Sequence, residues 1–200
     1  MGLYKQIEEA DVEQLLTWWD TAPDWAEHEE YPFVLDEIAH TIVLEHPEHA
    51  QLLRTHARSG DTMHRAAAIS ALAWTPELFP ELEAGLAEAF AEDSVELKTR
   101  ALWGAIDAGL HPFDREVIAD LKAHADPRLA ALSDIYLAYT FPEERIAVLT
   151  RCLASENPRC REYACDAVGD LEVTELRSTL EKLRDDPDEG VRAAAEANLG

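Results

Sequence analysis

Basic residues are scarce in this chain. Seventeen Lys and Arg stand against 41 Asp and Glu in 200 residues, a formal charge of −24. A surface that grips a phosphate backbone needs clustered cations to release counterions, and the few here are scattered. Direct nucleic-acid binding is therefore excluded as an expectation, and an anionic membrane would repel the chain for the same reason. Long apolar runs are lacking too: no stretch approaches the ~18 residues that a membrane span requires. The opening MGLYKQIEEADVE lacks the basic-then-apolar order of a signal peptide, so a cytoplasmic protein is expected. Cysteine is sparse, and Cys152, Cys160 and Cys165 cannot all pair with one another and show no CxxC spacing, as suits reduced thiols. Alternating β-branched runs are missing, which removes strands. No GxSxG elbow, P-loop, GxGxxG or HExxH is present.

What the chain does have is an internal repeat. Arg65, Lys98, Ala130, Arg161 and Arg192 recur at spacings of 33, 32, 31 and 31 residues. One position earlier stand His64, Leu97, Leu129, Cys160 and Val191; three positions later stand Ala68, Ala101, Ser133, Ala164 and Ala195, all small. Offsets of −1, +3, +6 and +7 share one helical face, and small residues there let two helices approach closely. Each of these helices follows a turn rich in Asx: Asp61, Asp93-Ser94, Asp126-Pro127, Asn157-Pro158 and Asp186-Pro187. Such turns supply N-caps, and Pro is tolerated in a first helical turn. Between them lie second helices near 47–58, 77–91, 113–124, 142–154 and 173–184. Leu52/Leu53, Leu82/Leu86, Val117/Leu121, Ile146/Leu149 and Leu176/Leu180/Leu183 are expected to face inward.

The stretch Asp186-Pro187-Asp188-Glu189-Gly190-Val191-Arg192-Ala193-Ala194-Ala195 through Leu199-Gly200, with Asn157-Pro158 through Gly169 next, resembles the short bacterial HEAT-like repeats and their D-P-x-x-V-R-x-x-A-x-x-A-L-G core. Residues 60–200 carry the resemblance; Val34 to Val43 is a weaker, earlier copy, and the copies at Lys98 and Ala130 lack respectively the Pro and the Arg. The resemblance implies an all-α protein, a right-handed α-solenoid of about five or six stacked helical hairpins that binds macromolecules. It divides the chain into an acidic, aromatic-rich capping region, 1–60, and a continuous repeat domain, 61–200.

Three of the five tryptophans, Trp18, Trp19 and Trp25, fall in the capping region with Tyr31 and Phe33. Large aromatics there either cover the end of the repeat stack or anchor a partner. Six of the eight histidines also lie early: His28, His40, His46, His49, His56 and His64. Asp36 and His40 are spaced i,i+4, and His49 and His56 i,i+7, a spacing compatible with ligands on neighbouring helices. The HEAT-like deoxyhypusine hydroxylases use four His-Glu dipeptides for two irons, and this chain has one, His28-Glu29. No metal or cofactor is therefore expected, and Cys160, aligned with apolar positions, reads as core.

The expected function is a non-enzymatic binding module whose acidic surface captures a basic protein, in concrete form an inhibitor or immunity protein for a toxin or nuclease. Second-helix acids Glu77, Glu81, Asp114, Glu116, Glu143 and Glu144 are the expected contact residues, with Trp18, Trp19 and Trp25 as anchors. The alternative is a metal- or cofactor-dependent HEAT-like enzyme, of hydroxylase or lyase type, using the histidine cluster.

Overall fold

The five small residues found three positions after each repeat reference are all fully buried: Ala68, Ala101, Ser133, Ala164 and Ala195 have 0% exposure. The repeat register read from the sequence is thus the register of the helix contacts. The computed structural model describes residues 3–27 and 30–199. Among them every regular element is helical, and they form two compact units, 1–112 and 113–200.

The first unit contains α1 (Leu3–Glu8), α2 (Val12–Asp20), α3 (Tyr31–Glu45), α4 (Ala50–Ser59), α5 (Thr62–Trp74), α6 (Leu82–Ala91) and α7 (Val95–Asp107). α3, α5 and α7 pack side by side as a row of first helices, with α4 laid on α5 and α6 on α7. α1 and α2 cover the free side of α3. α2 starts with a capping box: the Gln14 amide N–H donates to the Asp11 carboxylate at 2.9 Å, and the Asp11 N–H donates to Gln14 Oε1 at 3.2 Å. Gly104 lets α7 approach its neighbours, since a Cβ there would sit 3.0 Å from Leu86 and 3.3 Å from Ala73.

The second unit repeats the scheme with α8 (Arg115–Asp120), α9 (Pro127–Thr140), α10 (Arg145–Leu153), α11 (Pro158–Asp170), α12 (Arg177–Leu183) and α13 (Glu189–Ala197). α9, α11 and α13 form the row of first helices, α10 packs against α9 and α11, and α12 against α13.

The repeated cation has a structural job that the alignment alone did not reveal. Arg65 donates to the carbonyl of Ala57, Lys98 to those of Phe90 and Glu92, Arg161 to Ser155 and Glu156, and Arg192 to Asp186 and Pro187. Each cation therefore satisfies orphan carbonyls at or just past the C-terminal end of the preceding second helix, where positive charge also meets the negative end of the helix dipole. The copy that lacks the cation is Ala130. The second helix before it, α8, has only 6 residues and runs out in a 3₁₀ turn over Leu121–Ala123.

Several sequence expectations change. Val117 and Ile146 point outward, each 47% exposed, while their neighbours Ile118 and Val148 are buried. These short second helices begin at Arg115 and Arg145, two and three residues later than the pattern suggested; Leu149 is buried as expected. The cap of α13 is Asp188, which accepts from the Val191 N–H; Asp186 is instead buried and holds Arg161. The two compact units divide at 112/113, and α3 and α4 pack on α5 within the first.

Candidate functional site

The expected acidic contact residues sit where second helices begin. Glu77 lies in the 3₁₀ turn Pro76–Leu78 and Glu81 is the N-cap of α6, both exposed. In the second unit Asp114 is the N-cap of α8, Glu116 is in its first turn, and Glu143 and Glu144 precede α10. Negative charge at a helix N-terminus is favourable on its own account, so part of this acidity is structural. Two of the six carboxylates are also neutralised within the chain. Glu81 pairs with Arg58 at 3.6 Å, and Glu144 pairs with Arg115, whose guanidinium lies 5.2 Å from the centre of the Phe141 ring. Glu77, Asp114, Glu116 and Glu143 are exposed and make no ion pair among the described residues.

The aromatic anchors divide. Trp18 and Trp25 are half-buried and meet edge to face, ring centres 5.4 Å apart. Trp19 has 0% exposure. It packs edge-on against His56 at 5.4 Å and His64 at 4.9 Å, so it belongs to the core of the N-terminal cover and is removed from the anchors. A ring this large on the second helix fills the space between α2, α4 and α5, which an exposed position would forfeit.

His64 ties that cover to the repeats. Its Nδ1 lies 2.6 Å from Asp61 Oδ2 and its Nε2 2.8 Å from the Trp19 carbonyl. A carboxylate and a carbonyl can only accept, so both bonds are satisfied together only when the ring donates from both nitrogens. Burial works to raise the Asp61 pKa, but hydrogen bonds from His64 and Met63 outweigh it and hold this carboxyl below its ordinary value. His56 is pushed the other way: burial first, then the neighbouring His64, lower its pKa.

The remaining histidines do not assemble. The His40 Nδ1–H donates to the Asp36 carbonyl at 2.8 Å and the ring stands against Trp74; His46 and His49 lie 4.0 and 3.9 Å from Glu48. Among the described residues no group of three or more His, Cys, Asp or Glu is placed to hold a metal ion. His28 and Glu29 lie outside the described residues. Cys160 is buried, as are Cys152 and Cys165. The hydrogen bond with Cys160, then burial, pushes the Cys152 thiol up, and burial pushes Cys165 up to about 12, so these two are inert thiols at neutral pH.

The family model for HEAT repeats matches residues 115–200. Residues 115–200 are HEAT repeats. A search of curated proteins finds no match to the chain. HEAT repeats are generally protein-interaction modules, offering extended surfaces built from successive hairpins. No helix among the described residues is long and apolar enough to cross a membrane. The match begins at the short α8 and covers the second compact unit almost entirely.

One surface group went unread in the sequence. In the first unit, ahead of the matched HEAT repeats, Trp74 is 62% exposed at the end of α5, beside Leu44, 56% exposed at the end of α3. The signal was available: nine positions after the repeat reference, Trp74 stands where the next copies have Asp107, Tyr139 and Asp170. An exposed indole at a position held by Asp, Tyr and Asp in the next copies marks a departure from the scaffold.

Proposed function

We propose that this HEAT-repeat protein is a non-enzymatic module that captures a basic protein through exposed carboxylates, in concrete form an inhibitor or immunity protein that occupies the phosphate-binding surface of a cationic toxin or nuclease. The observation that carries the reading is the set Glu77, Asp114, Glu116 and Glu143, exposed and without an ion pair among the described residues, on a chain of charge −24. Complementary potentials of this size raise association rates by orders of magnitude and fade as salt screens them. Trp18 and Trp25, half-buried at the surface of the N-terminal cover, are the aromatic anchors that would slow dissociation.

The test is association kinetics with a cationic protein, from about 20 to about 500 mM salt, a range over which the screening length shrinks several-fold. The triple variant Glu77→Lys, Glu116→Lys, Glu143→Lys is expected to lower the on-rate at low salt, with the difference vanishing at high salt and the off-rate little changed. Binding that ignores both salt and the reversals would leave these carboxylates as helix-terminal and solubilising charges.

A further inference from the structure

On α3, Phe33, Glu37, His40 and Leu44 follow one another at spacings of four, three and four residues, and so share one face. Phe33 is 61% exposed and Leu44 56%. Trp74 extends this face from the adjacent α5: its indole, 62% exposed, meets the His40 ring edge-on at 5.3 Å. Beside the C-terminal half of α3 lies a cleft of about 540 Å³ that α1 closes on its other side, lined by Glu8, Glu37, Glu45 and Leu44 among others and by no Lys or Arg. None of these three carboxylates makes an ion pair among the described residues. His40 and His46 line the cleft as well, and burial holds Glu37 above its ordinary pKa although His40 pulls the other way.

Single exposed apolar side chains are ordinary on a protein surface. A face carrying Phe, Leu and Trp beside three uncompensated acids is a different matter, because it couples a hot-spot residue type with one sign of charge. An exposed indole also attracts a cation over its ring. We propose that the outer face of α3 with Trp74 docks a segment of a basic protein that presents Lys or Arg side chains next to an apolar one, the cations entering the Glu8, Glu37, Glu45 cleft and the apolar group resting on Leu44 and Trp74. This rests on the basic-partner reading and places the decisive apolar contact away from the second-helix acids. An anionic lipid surface offers apolar matter as well, but its charge opposes that of the cleft.

The experiment uses the full chain and three probes: an amphipathic Lys/Leu peptide, a Lys/Ser peptide of equal length and charge, and vesicles containing phosphatidylserine. The Lys/Leu peptide is expected to bind about tenfold more tightly than the Lys/Ser peptide. The double variant Trp74→Ala, Leu44→Ser is expected to erase that tenfold advantage while leaving the melting midpoint unchanged, and Trp74→Phe is expected to keep most of it. Lys/Leu binding that survives the double variant and falls with Glu77→Lys, Glu116→Lys, Glu143→Lys overturns this site and leaves the basic-partner reading standing. Failure of both peptides to bind at low salt overturns both readings. Vesicle binding abolished by Trp74→Ala overturns the protein partner in favour of lipid.

Discussion

Residues 1–112 hold 22 acidic side chains against 6 basic, a formal charge of −16, whereas residues 113–200 hold 19 against 11, a charge of −8. The difference extends to how the charges are used. In the second unit Asp134 receives both Lys122 and Arg151, Glu144 receives Arg115, and buried Asp186 receives the Arg161 fork at 2.7 and 2.9 Å. In the first unit Glu8, Glu37 and Glu45 receive no cation, and the side-chain nitrogens Trp19 Nε1, His40 Nε2, Arg54 Nε and His56 Nδ1 are buried without a hydrogen-bond partner among the described residues. Satisfied polar groups are the norm for a part whose task is to fold, and departures gather where something else is required. The regular unit is the one that matches the HEAT family model; the irregular one carries Trp74, Leu44 and Phe33. The comparison sets a regular repeat unit beside one that adds an exposed aromatic face.

Nature has labelled the two units for experiment. All five tryptophans, at 18, 19, 25, 74 and 103, lie in the first, and all three cysteines, at 152, 160 and 165, in the second. Tryptophan fluorescence reports the one and thiol labelling the other. The largest expected effect is within the first unit: Trp19→Ala removes a fully buried ring and should destabilise it by roughly 3–5 kcal/mol, while Trp74→Ala, at a 62% exposed position, should stay within about 0.5 kcal/mol. Equal losses would mean that the exposed aromatic face is structural after all.

The next effect compares the units through the same repeat position. Arg161→Met leaves Asp186 as a buried carboxylate without its partner and should cost about 1–3 kcal/mol, measured as faster labelling of the cysteines. Arg65→Met abandons Glu92, half of whose side chain is in solvent, and should cost less, because an exposed acid needs no partner. Ala68→Leu and Ala164→Leu, one in each unit, should both destabilise by roughly 1–3 kcal/mol through overpacking. A tolerant Ala68 would show that the first unit keeps the repeat sequence without the repeat packing.

What was legible in the sequence follows from how each feature is encoded. The helices and their register were legible because small residues recur every 31 to 33 positions and because an Asx or Ser cap marks each start. Trp19 was misplaced because a neighbouring pair, Trp18-Trp19, gives no sign of which ring the helix turns inward until α4 and α5 are packed against it. Val117 and Ile146 were misplaced because helices of 6 and 9 residues are too short for a pattern to fix their rotation. The ring contact between His40 and Trp74 spans 34 residues, from α3 to α5, and no local spacing encodes it. The acids were all visible, but their pairing, on which their availability depends, is set by tertiary contacts such as Arg115 with Glu144.

The smallest expected effect is a difference in how the units answer acid. Burial and His64 lower the His56 pKa, so the folded first unit prefers this ring neutral, whereas the unfolded chain takes up a proton near the ordinary value of about 6.5. The contribution is fully present above that value and declines as pH falls through it toward the depressed folded pKa. In the second unit the sign falls at another pH. Hydrogen bonding with Arg128 is the main influence holding Asp126 at about 2, and bonding with Arg161 lowers Asp186; their contribution is present above the unfolded carboxylate pKa near 3.8 and is lost only as pH drops below it. His64, Asp61 and Asp20 act on His56 through their charges, so the measured quantity is the difference between the wild type and His56→Gln. Between pH 7.5 and 5.5 the tryptophan melting midpoint of the wild type should fall relative to the variant, while thiol labelling, normalised to unfolded chain at each pH, should stay level. A tryptophan signal that follows the same pH course in both proteins would show that the cover over α3 does not depend on a neutral His56, and that the acid responses of the two units are alike.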